Sequence, residues 1–219
     1  MPATNKADLQ AIPIQELWNA SNPELWDQSL DRYWDFVQPE DKAFEHEMNE
    51  LNPVDMKKLD AEQWYEFLKY KYFKWKYRAH WYKTTTDKLD KHIEKYGLCS
   101  LLVIRDRVFK NSNGEVIEAL RTVCDIGGLG VAGGSGLLSL LFPHMFGTVD
   151  QFVVKALREV DSLPEHEKLM QMDPENLNFN NGVILTNIMR EKAKALNDIF
   201  CATSWTPRKV DMILWTSQH

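Results

Sequence analysis

The stretch IEALRTVCDIGGLGVAGGSGLLSLLFPHMFGTVDQFVVKALREV, residues 117–160, decides the fold of this chain. Its apolar residues recur at a helical spacing up to about Cys124, which predicts a helix there. Glycines interrupt this pattern, and a very apolar segment then continues through Leu141 until Pro143 ends it. The sequence therefore predicts two helices joined by a tight, glycine-rich hairpin over about residues 115–142.

The spacing Gly128-x-Gly130-x-x-Gly133 also matches a dinucleotide-binding fingerprint, and Asp150 lies near the distance expected for a ribose-binding acid. That fingerprint requires a buried β-strand before the glycines and a second strand after the helix. Here the residues before the glycines include charges such as Glu118 and follow a helical period instead. We therefore favour the helix, hairpin, helix interpretation over nucleotide binding.

The hairpin has the features of an anion-binding turn. Gly128 and Gly130 permit positive φ angles and leave the backbone amides accessible. With Val131 at the start of the next helix, those amides and the helix N-terminus predict a concavity that binds a phosphate. The small residues 133–136, GGSG, also allow this helix to pack closely against a neighbour, a role that needs no ligand.

Four features of this region resemble the helix-hairpin-helix DNA glycosylase superfamily: IGGLG at 126–130, the small-residue helix, LFP at 141–143 and GTVD at 147–150. Near the C-terminus, WTPR at 205–208 and LW at 214–215 are similar to a subgroup of uncharacterised proteins with the glycosylase fold. The resemblance implies an all-α, two-lobed fold that contains a helix-hairpin-helix, with residues 1–219 forming one unit. Before residue 100 it rests on helical content alone.

By this resemblance, Asp150 is the catalytic carboxylate, which stabilises the oxocarbenium-like sugar as a flipped, modified base leaves and orients the attacking water. Gly128, Gly130 and Val131 would grip a phosphate of duplex DNA, often with a monovalent cation bridging the hairpin carbonyls, and no other cofactor is implied. An acid near the first turn of a helix suits this chemistry, because the helix dipole stabilises its charge.

One departure from the superfamily pattern narrows the expected chemistry. Bifunctional members carry a lysine nucleophile early in the second hairpin helix, where this chain has Ala132, Gly133 and Gly134. A Schiff-base lyase reaction of the usual kind is therefore not expected. No cysteine cluster follows the last helices, which excludes the iron–sulfur subgroup. The resemblance thus implies a monofunctional DNA-repair hydrolase, although it does not establish that the chain is active.

The candidate residues also have structural interpretations. Asp150 suits an N-cap, which is compatible with catalysis. The segment 70–82, YKYFKWKYRAHWY, contains residues that can stack on bases and follow phosphates. The alternation of aromatic and basic residues in this segment is also explained by a buried aromatic stripe with a solvated lysine rim. Within this segment, the candidates for DNA or pocket contacts are Lys74, Lys76, Arg78 and Trp81.

Charge and composition limit the function classes. The net charge of −6 argues against indiscriminate nucleic-acid binding, because phosphate affinity requires a basic surface. The charge is uneven, however: residues 69–95 are rich in lysine and residues 23–62 are strongly acidic, so one face is expected to carry a positive potential. Cys99, Cys124 and Cys201 are far apart and lack histidine partners at ligand spacing, which predicts reduced, packed thiols and no metal site.

No segment has the apolar length that a membrane span requires, and the polar start MPATNKADLQ lacks the apolar core of a signal peptide. We therefore expect a cytoplasmic protein without a membrane partner, whose first dozen residues are flexible. Three functions stay open: base excision by a DNA glycosylase-like hydrolase, non-catalytic nucleic-acid binding on the same scaffold, and a helical interaction protein whose acidic N-terminal third binds a basic partner. The sequence indicates neither the base nor the oligomeric state.

Overall fold

Helices form all the regular structure in the part of the chain that the computed structural model describes, residues 12–77 and 80–219 with the side chain of His80 excepted. The absence of strands in that part confirms the all-α prediction. The first dozen residues, expected to be flexible, lie almost wholly outside it. The N-terminal third consists of short helices: α1 (Ile14–Asn19), α2 (Pro23–Asp31), α3 (Tyr33–Phe36), a 3₁₀ turn (Pro39–Asp41), α4 (Lys42–Asn49) and α5 (Pro53–Lys58).

The middle third begins and ends its helices through local capping. Asp60 and Gln63 form a capping box, in which each side chain accepts a hydrogen bond from the other residue's backbone amide. Gly97 ends the longest helix of this third with a φ of +79°. The elements are α6 (Ala61–Glu66), a π-helical continuation (Phe67–Tyr72), α7 (Phe73–Lys76), α8 (His80–Tyr96) and α9 (Cys99–Asn111).

The predicted hairpin is present. Helices α10 (Val116–Val123) and α11 (Val131–Leu141) are joined by a turn in which Gly128 has a φ of +95°, a conformation that favours glycine. Helix α11 packs closely on α10, because a Cβ at Gly134 would lie only 2.6 Å from Val123 Cγ1. The small residues of α11 therefore have the close-packing role that their composition predicts.

The C-terminal third consists of α12 (Gln151–Arg158), α13 (His166–Gln171), α14 (Phe179–Phe200) and α15 (Pro207–Thr216). The Thr206 hydroxyl caps α15 by accepting a hydrogen bond from the Lys209 amide at 3.2 Å. None of the described helices combines the length and the apolar character needed to cross a membrane.

Two large hydrophobic cores organise these helices. One core joins α1 and α2 to α12, α14 and α15 around the fully buried Trp26. The other is built from α6 to α11 around side chains such as Trp64 and Phe146. A smaller cluster connects α3 to α15. The chain thus leaves the first core after α2, builds the second, contacts the first again at Val131, and returns to it at Val149, immediately before the predicted catalytic position.

Candidate functional site

A cleft of about 270 Å³ is lined by residues of α3, α4 and α7 on one side and of α12 and α15 on the other. Aromatic rings and ionisable groups dominate its lining. Segments from both ends of the chain therefore meet there, together with the loop that precedes α12. The lining residues are Tyr33, Phe36, Val37, Glu45, Trp75, Lys76, Thr148, Asp150, Val153, Arg208, Asp211 and Trp215.

Asp150 lines this cleft and is also the N-cap of α12. Its Oδ1 accepts hydrogen bonds from the amides of Phe152 at 3.0 Å and Val153 at 3.3 Å. Its Oδ2 lies 3.4 Å from the Lys76 ammonium, and 19% of the side chain is exposed. The capping interpretation of Asp150 is therefore correct, and it leaves the second carboxylate oxygen for interactions across the cleft.

The loop that presents Asp150 is held from two sides. The Thr148 amide donates to Asp211 Oδ2 at 2.5 Å, and the Val149 amide donates to the Ser135 hydroxyl of α11 at 2.9 Å. A Cβ at Gly147 would lie 2.7 Å from a backbone carbonyl oxygen, so the loop also needs glycine at its closest approach. Hydrogen bonds donated to side chains of α11 and α15 thus fix the backbone immediately before the carboxylate.

Lys76 is the cationic partner of Asp150 and comes from the other core. Its Cδ and Cε lie 3.3 and 3.5 Å from the position of a Cβ on Gly136, so the missing side chain on α11 makes room for the lysine stem. Only 14% of the Lys76 side chain is exposed. Four residues were predicted to contact DNA or a pocket. Among those that the structure describes, Lys76 lines the cleft.

The floor of the cleft is a buried charged cluster. Arg208 donates from Nη1 to Asp211 Oδ1 at 2.7 Å, and its Nη2 lies 3.6 Å from Glu45 Oε1. Glu45 also accepts hydrogen bonds from the Tyr33 hydroxyl at 2.5 Å and from the Trp75 indole N–H at 2.8 Å. Every member of this network therefore has a partner, which is the condition for keeping buried charges.

The cluster carries more negative than positive charge. Burial raises the pKa of Asp211 to about 6, although Arg208 opposes the shift, so this carboxyl is mainly ionised at pH 7. Burial alone would lower the pKa of Arg208, but the neighbouring Asp211, Tyr33 and Glu45 raise it. Three carboxylates face two cations among the cleft residues, because Asp150 and Lys76 add one charge of each sign. One negative charge remains uncompensated, which favours a cationic guest.

Two glycines of the hairpin turn are less accessible than an anion-binding turn requires. A Cβ at Gly128 would lie 2.6 Å from the Thr85 carbonyl oxygen, and one at Gly127 would lie 2.6 Å from the Lys88 carbonyl oxygen. Helix α8 therefore covers this side of the turn. Gly130 is exposed, with no atom within 4 Å of its missing Cβ, whereas Val131 is buried. Solvent reaches the predicted phosphate-binding group mainly at Gly130.

Helix α11 of the hairpin and the loop that presents Asp150 nevertheless share a neighbour. A Cβ at Gly182 of α14 would lie 3.0 Å from a Val131 methyl group and 3.8 Å from a Val149 methyl group. The start of α11 and the residue before Asp150 therefore pack against the same point of α14. This arrangement brings the hairpin region and the cleft region together through the interior of the protein.

The other predicted contacts do not line the cleft. Lys74 is exposed, and its ammonium lies 5.7 Å from the Phe44 ring. Trp81 is 63% exposed in the first turn of α8. Arg78 falls outside the described residues, so its prediction stays untested. The structure thus separates a cleft-facing lysine from exposed residues that the sequence had grouped in one segment.

Sequence reasoning missed the cleft floor: Tyr33, Glu45, Arg208 and Asp211. A charged pair three residues apart at the start of the largely apolar α15 was the available signal for Arg208 and Asp211. Glu45 gave no local signal, because its partners come from distant segments. Its burial, with 3% of its surface exposed, follows only from the tertiary packing.

Among the described residues, no group of three or more histidine, cysteine, aspartate or glutamate side chains is placed to hold a metal ion. The three cysteines are unpaired thiols, and the prediction that they are packed is wrong for Cys99 and Cys201, which are exposed. Comparisons of the chain with protein-family models, with curated proteins and with solved structures found no match. The fold and the site therefore define an all-helical protein with an aromatic, negatively charged cleft, and functional inference rests on the geometry of that cleft.

Proposed function

We propose that this protein is a monofunctional DNA glycosylase-like hydrolase, which cleaves the N-glycosidic bond of a modified base flipped into the cleft. The observation that carries the proposal is the placement of Asp150. Its carboxylate is held by two helix amides at one oxygen and presents the other within an aromatic-walled cleft.

The volume and the aromatic lining of the cleft suit a flat, polar ligand such as a base. Its volume of about 270 Å³ is close to the lower end of the roughly 300–1,000 Å³ typical of small-molecule sites, which suits one base and its sugar. Aromatic residues such as Trp75 and Trp215 offer faces on which a base can stack. Enzymes that act on a base take it out of the helical stack, so a cleft of this kind is a prerequisite for base excision.

The charge of the cleft supports the chemistry. When the C1′–N bond breaks, its electron pair leaves with the base and positive charge develops on the sugar. A carboxylate fixed beforehand stabilises that charge without reorganisation, and the net negative charge of the cleft acts in the same direction. Water then adds to C1′ and loses a proton, while the released base gains one, so that the products are the free base and a sugar hydroxyl. Asp150 would stabilise the cation and orient that water.

The Asp150→Asn variant tests this proposal. Asparagine caps helices as well as aspartate does, so the variant should keep the fold while losing the negative charge. We expect the wild type to release base from at least one duplex in a panel carrying alkylated, oxidised, deaminated and mismatched bases, and the variant to lose at least about 100-fold in rate, the order seen when one electrostatic stabiliser is removed. Equal release by both proteins, or none by the wild type, would contradict the proposal.

A second candidate function is nucleic-acid binding without catalysis. The ion pair between Lys76 and Asp150 favours it, because the ammonium partly neutralises the carboxylate that the reaction needs. Salt-sensitive DNA binding that Asp150→Asn leaves unchanged, without release of any base, would identify this function. A fold does not guarantee its usual reaction, so both candidates use the same scaffold.

A further inference from the structure

Helix α8 presents a basic face that the cleft does not use. Its buried side carries Thr85, Thr86 and Leu89. At about 100° per residue, five exposed residues fall within an arc of roughly 80° on another side of the helix. We call this arc the basic face, and its members are Trp81, Thr84, Lys88, Lys91 and Lys95.

The hairpin turn borders the basic face along one edge. Gly127 approaches the Lys88 carbonyl oxygen and the Cβ of His92, and Gly128 approaches the Thr85 carbonyl oxygen. On the helical wheel, Thr85 lies at the edge of the buried side of α8, and His92 lies between that edge and the basic face. The exposed Gly130 therefore belongs to the same edge of the protein as the lysines.

The acidic residues of this region border the basic face or are already paired. Asp87 and Glu94 lie beside it, about 40° and 60° from Lys91 on the helical wheel, and neither forms an ion pair within the described residues. Asp90 is paired with Lys69 at 2.8 Å, and Asp125 of the hairpin turn is paired with Arg107 at 3.0 Å. Over the described ranges, no ion pair involves the three lysines of the basic face. All three lysines are exposed, and the Lys95 ammonium lies 4.8 Å from the centroid of the Tyr96 ring.

From this juxtaposition we infer that the basic face, beside the hairpin turn, binds the sugar-phosphate backbone of duplex DNA. Lys88, Lys91 and Lys95 would each contact a phosphate, and the exposed ring of Trp81 would contact a base or sugar where the duplex opens. The choice of DNA as the partner rests on the proposed function. The placement of its backbone rests on the lysines and the turn.

Charge complementarity and spacing favour this occupant. From Lys88 to Lys95 the helix rises roughly 10 Å, at about 1.5 Å per residue. Phosphates of one strand advance about 3.4 Å along the duplex axis per nucleotide, so the lysines span about three phosphates. A protein with a net charge of −6 needs such a local concentration of cations to bind a polyanion. A membrane surface fits less well, because Trp81 is the only large apolar side chain on the basic face.

Matched charge removal in the full chain tests the inference. One variant carries Lys88→Gln, Lys91→Gln and Lys95→Gln, and its control removes three exposed lysines of other helices through Lys57→Gln, Lys168→Gln and Lys194→Gln. Binding to a fluorescent, undamaged duplex is measured over a salt series, with circular dichroism as the check on folding. Each lost phosphate contact lowers the slope of log K against log salt by about 0.9. We expect the basic-face variant to lose about 2.7 in slope and at least tenfold in affinity at low salt, and the control to change little.

Equal losses in the two triple variants, unchanged binding by the basic-face variant, or no binding by the wild type at low salt would each overturn the inference. Equally tight binding to anionic phospholipid vesicles would overturn the choice of DNA. A Trp81→Ala variant should lose more affinity for a duplex with an unpaired base than for a fully paired one. Base release is measured separately. Binding through the basic face without base release would refute the proposed enzyme and support this inference. Base release by the wild type, together with unchanged DNA binding by the basic-face variant, would support the enzyme and refute this inference.

Discussion

Asp150 in the cleft and the glycines of the hairpin turn were both predicted as site residues near the start of a helix, yet the structure surrounds them differently. In the cleft, the capping carboxylate of Asp150 keeps one oxygen for Lys76 and the solvent-accessible space. In the hairpin turn, Gly127 and Gly128 lie against α8, and only Gly130 is open. The comparison teaches that a helix start becomes a site only where the packing around it leaves room for a ligand.

The two regions also differ in how they hold charge. The cleft floor buries the pair between Arg208 and Asp211, with 8% and 3% of the side chains exposed, whereas the hairpin pair between Arg107 and Asp125 is about half exposed at 52% and 49%. Buried ion pairs depend on both partners, because a lone buried charge is costly. Exposed pairs contribute little. The predictions below use this contrast, beginning with the largest expected effect.

The largest effect is expected for Arg208→Ala. Its loss leaves Glu45 and Asp211 as buried carboxylates without their cation, so we expect the free energy of unfolding to fall by about 3–5 kcal/mol. The matched change at the hairpin turn, Arg107→Ala, should cost less than about 1 kcal/mol. Urea denaturation of both variants measures the difference. Similar costs for the two arginines would contradict the contrast between the cleft floor and the hairpin turn.

A second effect is a pH dependence that belongs to the cleft. Burial raises the pKa of Asp211 to about 6, above the value of about 3.9 for an unfolded chain. Between these two values the folded state binds more protons than the unfolded state, so the contribution of Asp211 to the free energy of unfolding falls as pH rises from about 4 to about 6 and is constant above. The difference between wild type and Asp211→Asn, followed by urea denaturation over this range, should show that slope.

The same titration should affect ligand binding in the opposite sense. Below about pH 6 Asp211 takes up a proton, which removes the uncompensated negative charge of the cleft. Binding of a cationic transition-state mimic, a pyrrolidine abasic-site analogue in duplex DNA, should therefore weaken as pH falls through this region. Asp211→Asn should remove this pH dependence. Persistence of the same dependence in the variant would assign it to another group.

The smallest effect separates two glycines of the hairpin turn. Gly128→Ala meets both a φ of +95° and the Thr85 carbonyl oxygen, so we expect a loss of at least about 1–2 kcal/mol in the free energy of unfolding. Gly97→Ala has the same kind of φ without any neighbour and measures the backbone strain alone. Gly130→Ala, at a φ of −102° in open space, should stay within about 0.5 kcal/mol. A Gly130 loss as large as that of Gly128 would show that the turn is not open there.

Much of the local structure was predictable because helix ends depend on residues within a few positions of each other. The hairpin over residues 115–142, the start of α12 at Asp150 and the proline-initiated α15 all follow from capping residues, glycines and prolines near the helix they delimit. Lys76 was one of four residues predicted to contact DNA or a pocket, whereas the alternation with aromatic residues favoured a solvated lysine rim.

Tertiary packing alone decided which charges face each other. Glu45, Asp150 and Arg208 come from distant segments of the chain, and their Coulomb and hydrogen-bond energies arise only after the helices pack. No local pattern reveals that α8 covers Gly127 and Gly128, because this contact joins α8 to the turn between α10 and α11. Short-range backbone preferences therefore established the helices and the position of the carboxylate, whereas the cleft, its charge and the exposed edge of the hairpin turn result from long-range contacts.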